Sequence, residues 1–125
     1  LLVFGLGLLV SMARGRTNAA IGHSADPTDV LHKRVRAHAN AAEYAPMMAV
    51  LILLVGARSP ATWTVAVMVL ATLSRYLHAA GMLMSVSLAR PHPLRLAGAA
   101  GTYLMGCALA AAALASADWG RVLDW

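Results

Sequence analysis

The sequence has little charge and almost no cysteine. Charged residues fill 12% of its 125 positions and apolar residues 60%, against roughly 25% and 45–50% in soluble domains. A water-soluble globule of this size needs far more polar surface, so that class is excluded. Disorder is excluded by the same figures, because disordered chains are poor in apolar residues. The single cysteine, Cys107, rules out a disulfide framework and a cysteine-based zinc site. Acidic residues are half as many as basic ones, giving a net charge of +5. On so apolar a chain that excess marks the cytoplasmic edge of a membrane protein rather than nucleic-acid binding. No nucleic-acid partner is expected, and the chain reads as an all-α integral membrane protein with the lipid bilayer as its solvent.

What is present is four apolar segments. The first, residues 1–14, carries no charge before Arg14 and falls short of the ~20 helical residues that a bilayer core takes. The chain opens on Leu1 rather than Met, which points to further residues upstream. A cleaved signal peptide fits less well, because the basic residues follow the apolar run. The second helix is expected over 27–55, with Asp26 as its N-cap, Pro27 at its first position and Asp29 at the positive end of its dipole. Pro46 lies inside it, where a kink is expected. Ser59 and Pro60 are expected to cap and open the third helix, 60–89, which Arg90-Pro91-His92-Pro93 should stop. The fourth is expected over 93–117. Along it Gly98, Thr102, Gly106 and Ala110 recur every four residues, a small-residue stripe that permits close approach between helices.

Orientation follows from the cations. The link between the first two helices, with its helical extension, holds Arg14, Arg16, Lys33, Arg34 and Arg36, and the link between the last two holds Arg90 and Arg95. Arg58 and Arg121 fall on the opposite side and Arg75 within a span. The positive-inside rule then places the 14–36 and 90–95 links in the cytoplasm.

Several polar residues interrupt the spans. Arg36, Asn40 and Glu43 share one face of the second helix by their spacing of four and three. Arg75 and His78 share a face of the third. Charge inside a bilayer is costly, so such residues face the bundle interior and pair there, which makes Glu43 and Arg75 the expected ion pair. A purely structural role for that pair, and simple edge anchoring for Arg90 and Arg95, are the plain alternatives. Haem ligation lacks a second histidine at the depth of His78, and no metal site is expected. Tyr76, Tyr103 and the methionines read as interface or core filling. Arg14, Arg36, Arg90 and Arg95 otherwise converge on one membrane face above Asn40, Glu43 and His78. Arg95 adds a cation to the first turn of the fourth helix, where a thiol would ionise more readily. Such a cationic pocket suits an amphiphilic anion, or a polar anionic cosubstrate meeting a lipid-soluble partner.

The run Arg36-Ala37-His38-Ala39-Asn40-Ala41-Ala42-Glu43-Tyr44-Ala45-Pro46 resembles the signature R-A-x-x-N-x-x-E-Y-x-P of the MAPEG family, the membrane-associated proteins in eicosanoid and glutathione metabolism. The resemblance continues through Arg75-Tyr76-Leu77-His78 and Pro93-Leu94-Arg95-Leu96-Ala97, and it is closest to bacterial members. It implies a four-helix bundle assembled as a homotrimer in a bacterial inner membrane, with glutathione as cosubstrate between subunits. It implies that Arg36, Asn40 and Glu43 hold the glutathione carboxylates and amine, that Arg75 and His78 line the site, and that Arg14 reaches across the subunit boundary. Arg95 matches the arginine that stabilises the thiolate, the catalytic assignment. Attack on a lipophilic electrophile, or reduction of a lipid hydroperoxide, is the implied chemistry. Two positions depart from the pattern: Met82 stands where family enzymes carry a tyrosine, and Leu96 where prostaglandin-synthase members carry a serine. A non-enzymatic lipid-binding or accessory role is therefore the second expectation.

Overall fold

The computed structural model describes residues 1–117, so Arg121 lies outside the described residues. It contains four helices, α1 Leu2–Thr17, α2 Val30–Gly56, α3 Thr62–Met84 and α4 Pro93–Ala115. No strand occurs among the described residues. With 27, 23 and 23 residues, α2, α3 and α4 are each long and apolar enough to cross a membrane. At 1.5 Å per residue they measure roughly 40, 35 and 35 Å, against a hydrocarbon core of ~30 Å. The chain is an integral membrane four-helix protein.

The helix ends depart from the sequence reading in instructive ways. α1 carries on for a turn beyond Arg14 and stops at Asn18, which takes the left-handed conformation (φ 51°) that ends many helices. α2 starts later than expected. Its N-cap is Asp29, whose Oδ1 accepts the His32 N–H at 2.7 Å. Asp26 instead folds a tight turn, accepting both the backbone N–H and the hydroxyl of Thr28 at 2.8 Å. Those bonds, the backbone one first, hold the Asp26 carboxyl below its ordinary range. The turn is therefore favoured above the unfolded carboxylate pKa and loosens as pH falls through the lowered one. α2 runs through Pro46 without a break.

α3 does not begin at Pro60. Ser59 has φ 52°, and Ala61 precedes the first helical residue without a side-chain cap. Nor does it reach Ala89. It ends at Met84 because Ser85 turns extended (ψ 134°) while its hydroxyl bonds back to the Gly81 carbonyl. The freed segment docks on α2 and its leading turn: Lys33 Nζ donates to Ser85 O at 3.1 Å, and the Leu88 N–H to Pro27 O at 3.0 Å. The two basic links thus meet at one end of the bundle. At the other end Arg58 donates to the Ser116 hydroxyl at 3.1 Å.

α3 and α4 form the most extensive helix pair, followed by α1 with α2. Glycine makes the first pair possible. A Cβ on Gly81 would lie 2.5 Å from the Arg95 backbone nitrogen and 2.9 Å from the Leu94 carbonyl carbon. One on Gly98 would strike the His78 backbone, and one on Gly101 the Ser74 hydroxyl. The small-residue stripe of α4 is thus largely taken up within the chain: Gly98 faces α3, Thr102 is buried, and Gly106 sits against Met48 of α2. Two apolar clusters complete the core. Leu6, Ala37, Ala41, Ala79 and Met82 join α1, α2 and α3; Met48, Ala71 and Leu109 join α2, α3 and α4.

Gly98→Ala must push two backbones apart, a clash that rotamer changes do not relieve. It should cost about 1–3 kcal/mol or more and lower the thermal midpoint in detergent, followed by helical circular dichroism. Gly5→Ala, with nothing within 4 Å of the new methyl, should leave that midpoint unchanged or raised.

Candidate functional site

Arg75 lies at the centre of the polar cluster. Only 4% of its surface is exposed, although it sits midway along α3. Its Nη2 donates to Asn40 Oδ1 at 2.7 Å and to the Asn40 backbone carbonyl at 3.2 Å. Its Nη1 donates to the Thr102 hydroxyl at 3.2 Å, and that hydroxyl donates in turn to Gly98 O at 2.7 Å. The guanidinium carbon stands 5.1 Å over the Tyr44 ring, within cation–π range. The Nε has no partner among the described residues. One buried cation therefore ties α3 to α2 and α4 together.

This corrects the expected Glu43–Arg75 ion pair. Glu43 is exposed on α2 and makes no hydrogen bond or ion pair with any described residue. Its charge acts on Arg75 only through space. Asn40 takes the place foreseen for the carboxylate because it presents two acceptors, side chain and backbone, on the turn that faces Arg75.

The remaining expected residues fall into two sets. His78, half-buried, directs Nδ1 at the Arg95 carbonyl at 2.9 Å. A carbonyl only accepts, so Nδ1 carries the proton and a neutral ring presents a bare Nε2. The Arg95 side chain turns back onto its own link, with Nη1 donating to Leu88 O at 3.0 Å and Arg90 O at 3.5 Å. Arg14 does likewise at the end of α1, where one nitrogen meets the carbonyls of Ala19, Ala20 and Gly22 at 3.1, 3.3 and 2.9 Å. Arg36 stays exposed on α2, two turns before Glu43. The structure thus joins Asn40 with Arg75, and His78 with the Arg95 backbone. Arg36 and Glu43 stand open on the α2 face, and Arg14 is engaged by its own chain.

Sequence reasoning missed three participants. Thr102 was placed in a packing stripe, yet it receives Arg75. Tyr44 lies under the guanidinium. Tyr103, read as filling, brings its hydroxyl within 3.4 Å of the Tyr44 hydroxyl, with the rings edge-on at 5.9 Å. Beside them a groove of about 430 Å³ opens between α2 and α4, lined by Glu43, Tyr44, Met47, Thr102, Tyr103 and Cys107 among others. A second, apolar crevice of about 430 Å³ lies between α1, α2 and α3, with Arg75 and Tyr76 in its wall.

An all-helical membrane bundle with a hydrogen-bonded arginine inside it and a loose carboxylate beside it defines a polytopic membrane protein with an intramembrane polar site. The MAPEG family model matches residues 1–115; the chain belongs to the MAPEG family, helical membrane proteins associated with glutathione. Neither a search among curated proteins nor one among solved structures found a significant match.

If Asn40 rather than Glu43 holds Arg75, the two positions must differ sharply in stability. Asn40→Ala should cost about 1.5–3 kcal/mol, the worth of a hydrogen bond to a charged group. Glu43→Gln should cost nothing or stabilise slightly, because it removes an unpaired charge from a membrane-spanning helix. The double variant Asn40→Leu/Arg75→Met should be more stable than Asn40→Ala alone, because no buried charge is left unpaired. Denaturation in mixed micelles measures all three, and the reverse ranking of Asn40 and Glu43 would restore the ion pair.

Proposed function

We propose that the chain is a membrane-bound glutathione-dependent transferase or peroxidase acting on a lipophilic electrophile. The observation that carries this reading is the division of labour on α2. Asn40 is committed to Arg75, while one turn further on Glu43 keeps its carboxylate unbonded inside a membrane-spanning helix. A charge left open at that depth needs a cationic partner, and the amine of glutathione supplies one. Arg36, exposed two turns earlier, would take a carboxylate of the same tripeptide, with Asn40, Arg75 and His78 lining the site. In a homotrimer, Arg14 of a neighbouring subunit would close it from the side. Arg95 would stabilise the sulfur as thiolate, assisted by its place in the first turn of α4.

In the transferase reaction the thiol proton leaves to water and the thiolate forms a carbon–sulfur bond at the electrophile, displacing its leaving group or opening its strained ring. In the peroxidase reaction the thiolate sulfur bonds to the terminal peroxide oxygen as the O–O bond breaks, giving glutathione sulfenic acid and, after protonation, the lipid alcohol. A second glutathione then attacks the sulfenic sulfur, yielding the disulfide and water. The groove between α2 and α4 would admit the lipophile from the bilayer, with Met47 and Leu51 on its apolar side and Glu43 at its polar end.

A second reading is favoured by one specific observation. Met82, which replaces the family tyrosine, is 8% exposed and packs with Leu6, Ala37, Ala41 and Ala79. It offers an apolar contact where a hydroxyl would hold glutathione, as a lipid-binding or accessory subunit without catalysis permits.

Glutathione titration of the detergent-purified protein, read by the ultraviolet absorbance of the thiolate, separates the readings. Saturable binding should weaken about tenfold or more in Glu43→Gln, the scale of a charge-assisted hydrogen bond. Arg95→Ala should abolish the thiolate absorbance while glutathione still binds. Binding without thiolate or turnover would favour the accessory reading, and binding unchanged by Glu43→Gln would remove Glu43 from the site.

A further inference from the structure

The link between α1 and α2 contains a cluster that the glutathione site does not use. His23 Nδ1 and His32 Nδ1 lie 3.1 Å apart, and each is 2.8 Å from the backbone carbonyl oxygen of Ser24. The two rings stand edge-on at 85° with centroids 4.7 Å apart. Hydrogen bonding leaves this triangle crowded. With both Nδ1 atoms protonated, each N–H can donate to a lone pair of the Ser24 oxygen, but the two donors then stand 3.1 Å apart with no bond between them. With one bare, its lone pair faces the lone pairs of the Ser24 oxygen. With both bare, every edge is repulsive.

A cation makes all three edges favourable. Two ligands at right angles, as in square-planar or octahedral coordination, each ~2.1 Å from a metal, lie about 3.0 Å apart, against about 3.4 Å in a tetrahedral site. The triangle edges of 2.8, 2.8 and 3.1 Å match the right-angled spacing. We propose that His23 Nδ1, His32 Nδ1 and the Ser24 carbonyl form one face of a binding site for a first-row divalent cation that takes right-angled ligands, of the Ni²⁺ type. Imidazole nitrogen with a single carbonyl suits such an ion better than Mg²⁺ or Ca²⁺, which take oxygen throughout. The remaining positions open to water, since His23 and Ser24 are exposed. The nearby carboxylates do not complete the set: Asp29 caps His32 and Asp26 holds Thr28. Among the described residues no three of histidine, cysteine, aspartate and glutamate gather in one place, which is why residue types alone give no sign of this site.

The location gives the ion a mechanical effect. His32 is in the first turn of α2, and His23 directly follows Gly22, whose carbonyl Arg14 holds from the end of α1. A metal would staple the middle of the link to α2, beside the place where Arg14 already staples it to α1.

The test uses the full chain, purified in non-ionic detergent on a tag without histidines and stripped with chelator, titrated with Ni²⁺ by calorimetry. The expected result is roughly one Ni²⁺ per chain. His23→Ala and His32→Ala should each weaken binding by about tenfold or more, because each removes one of three protein ligands; His38→Ala should not change it. Because the His23 ring is exposed and the His32 ring turns toward the link, helical circular dichroism should be the same in His23→Ala and His32→Ala as in the unaltered chain. Absence of stoichiometric binding, or binding that survives in both His23→Ala and His32→Ala, overturns the site. Neither result depends on glutathione.

Discussion

The arrangement depends on one buried cation. A guanidinium in a bundle surrounded by lipid tails has no water to fall back on, and leaving its donors unmet would cost several kcal/mol. Arg75 meets that demand at its two Nη atoms, though not at Nε, by drawing acceptors from both neighbours, Asn40 on α2 and Thr102 on α4. The requirement runs in both directions. Because Arg75 must be satisfied, the rotation of α2 is fixed so that Asn40 faces inward, and this in turn fixes where Arg36 and Glu43 point. Apolar packing among alanine and leucine side chains is far less directional and would tolerate several rotations of α2.

Reaching Thr102 requires α3 and α4 to lie closer than ordinary side chains permit. Gly81, Gly98 and Gly101 supply that closeness, each standing where a methyl group would meet the opposite helix. The same approach brings the Arg95 carbonyl to His78 Nδ1 at 2.9 Å, so the ring of His78 is oriented by backbone rather than by another side chain. Glycine packing and polar chemistry are therefore coupled. A change that loosens the α3–α4 contact near Gly98 disturbs both the Arg75 acceptor on α4 and the tautomer of His78.

Much of this was legible in the sequence, and the exceptions share a cause. The number of helices, their membrane character and the gathering of basic links at one end all follow from periodicity and composition, whereas the face expected to be shared by Arg36, Asn40 and Glu43 divides, with Asn40 turned to Arg75 and the other two exposed. Opposite charge favours Glu43 as the partner of Arg75, but register favours Asn40. In an interior, what decides is which turn presents acceptors at the depth of the donor, and Asn40 presents two. The end of α3 was misplaced because the apolar pattern continues past Met84. Contacts from Lys33 and Pro27, distant in sequence, hold the segment after Ser85 out of the helix. Asp26 and Asp29 are equally good caps on paper, and the Thr28 turn decides between them. Thr102 and Tyr103 carried no local signal, since a hydroxyl on an apolar helix reads the same whether it packs or binds.

The position of Glu43 follows from the same geometry. Among the described residues it is the only carboxylate on a helix, and the turn that gives Asn40 to Arg75 also turns Glu43 outward, into the wall of the α2–α4 groove. A carboxylate there is costly to keep ionised against lipid, and the chain has not spent it on its own cation. Had Glu43 neutralised Arg75, the bundle would be electrostatically closed and the groove would hold only apolar surface and hydroxyls. By meeting Arg75 with neutral acceptors instead, the fold leaves a negative charge at the groove wall and retains a positive one behind it. The two remain apart rather than collapsed into a pair, with Arg75 stacked over the Tyr44 ring. A zwitterionic ligand bearing an amine and carboxylates is the kind of molecule whose binding such a separation favours, which is why the proposed site rests on Glu43 being unpaired rather than on the number of arginines around it.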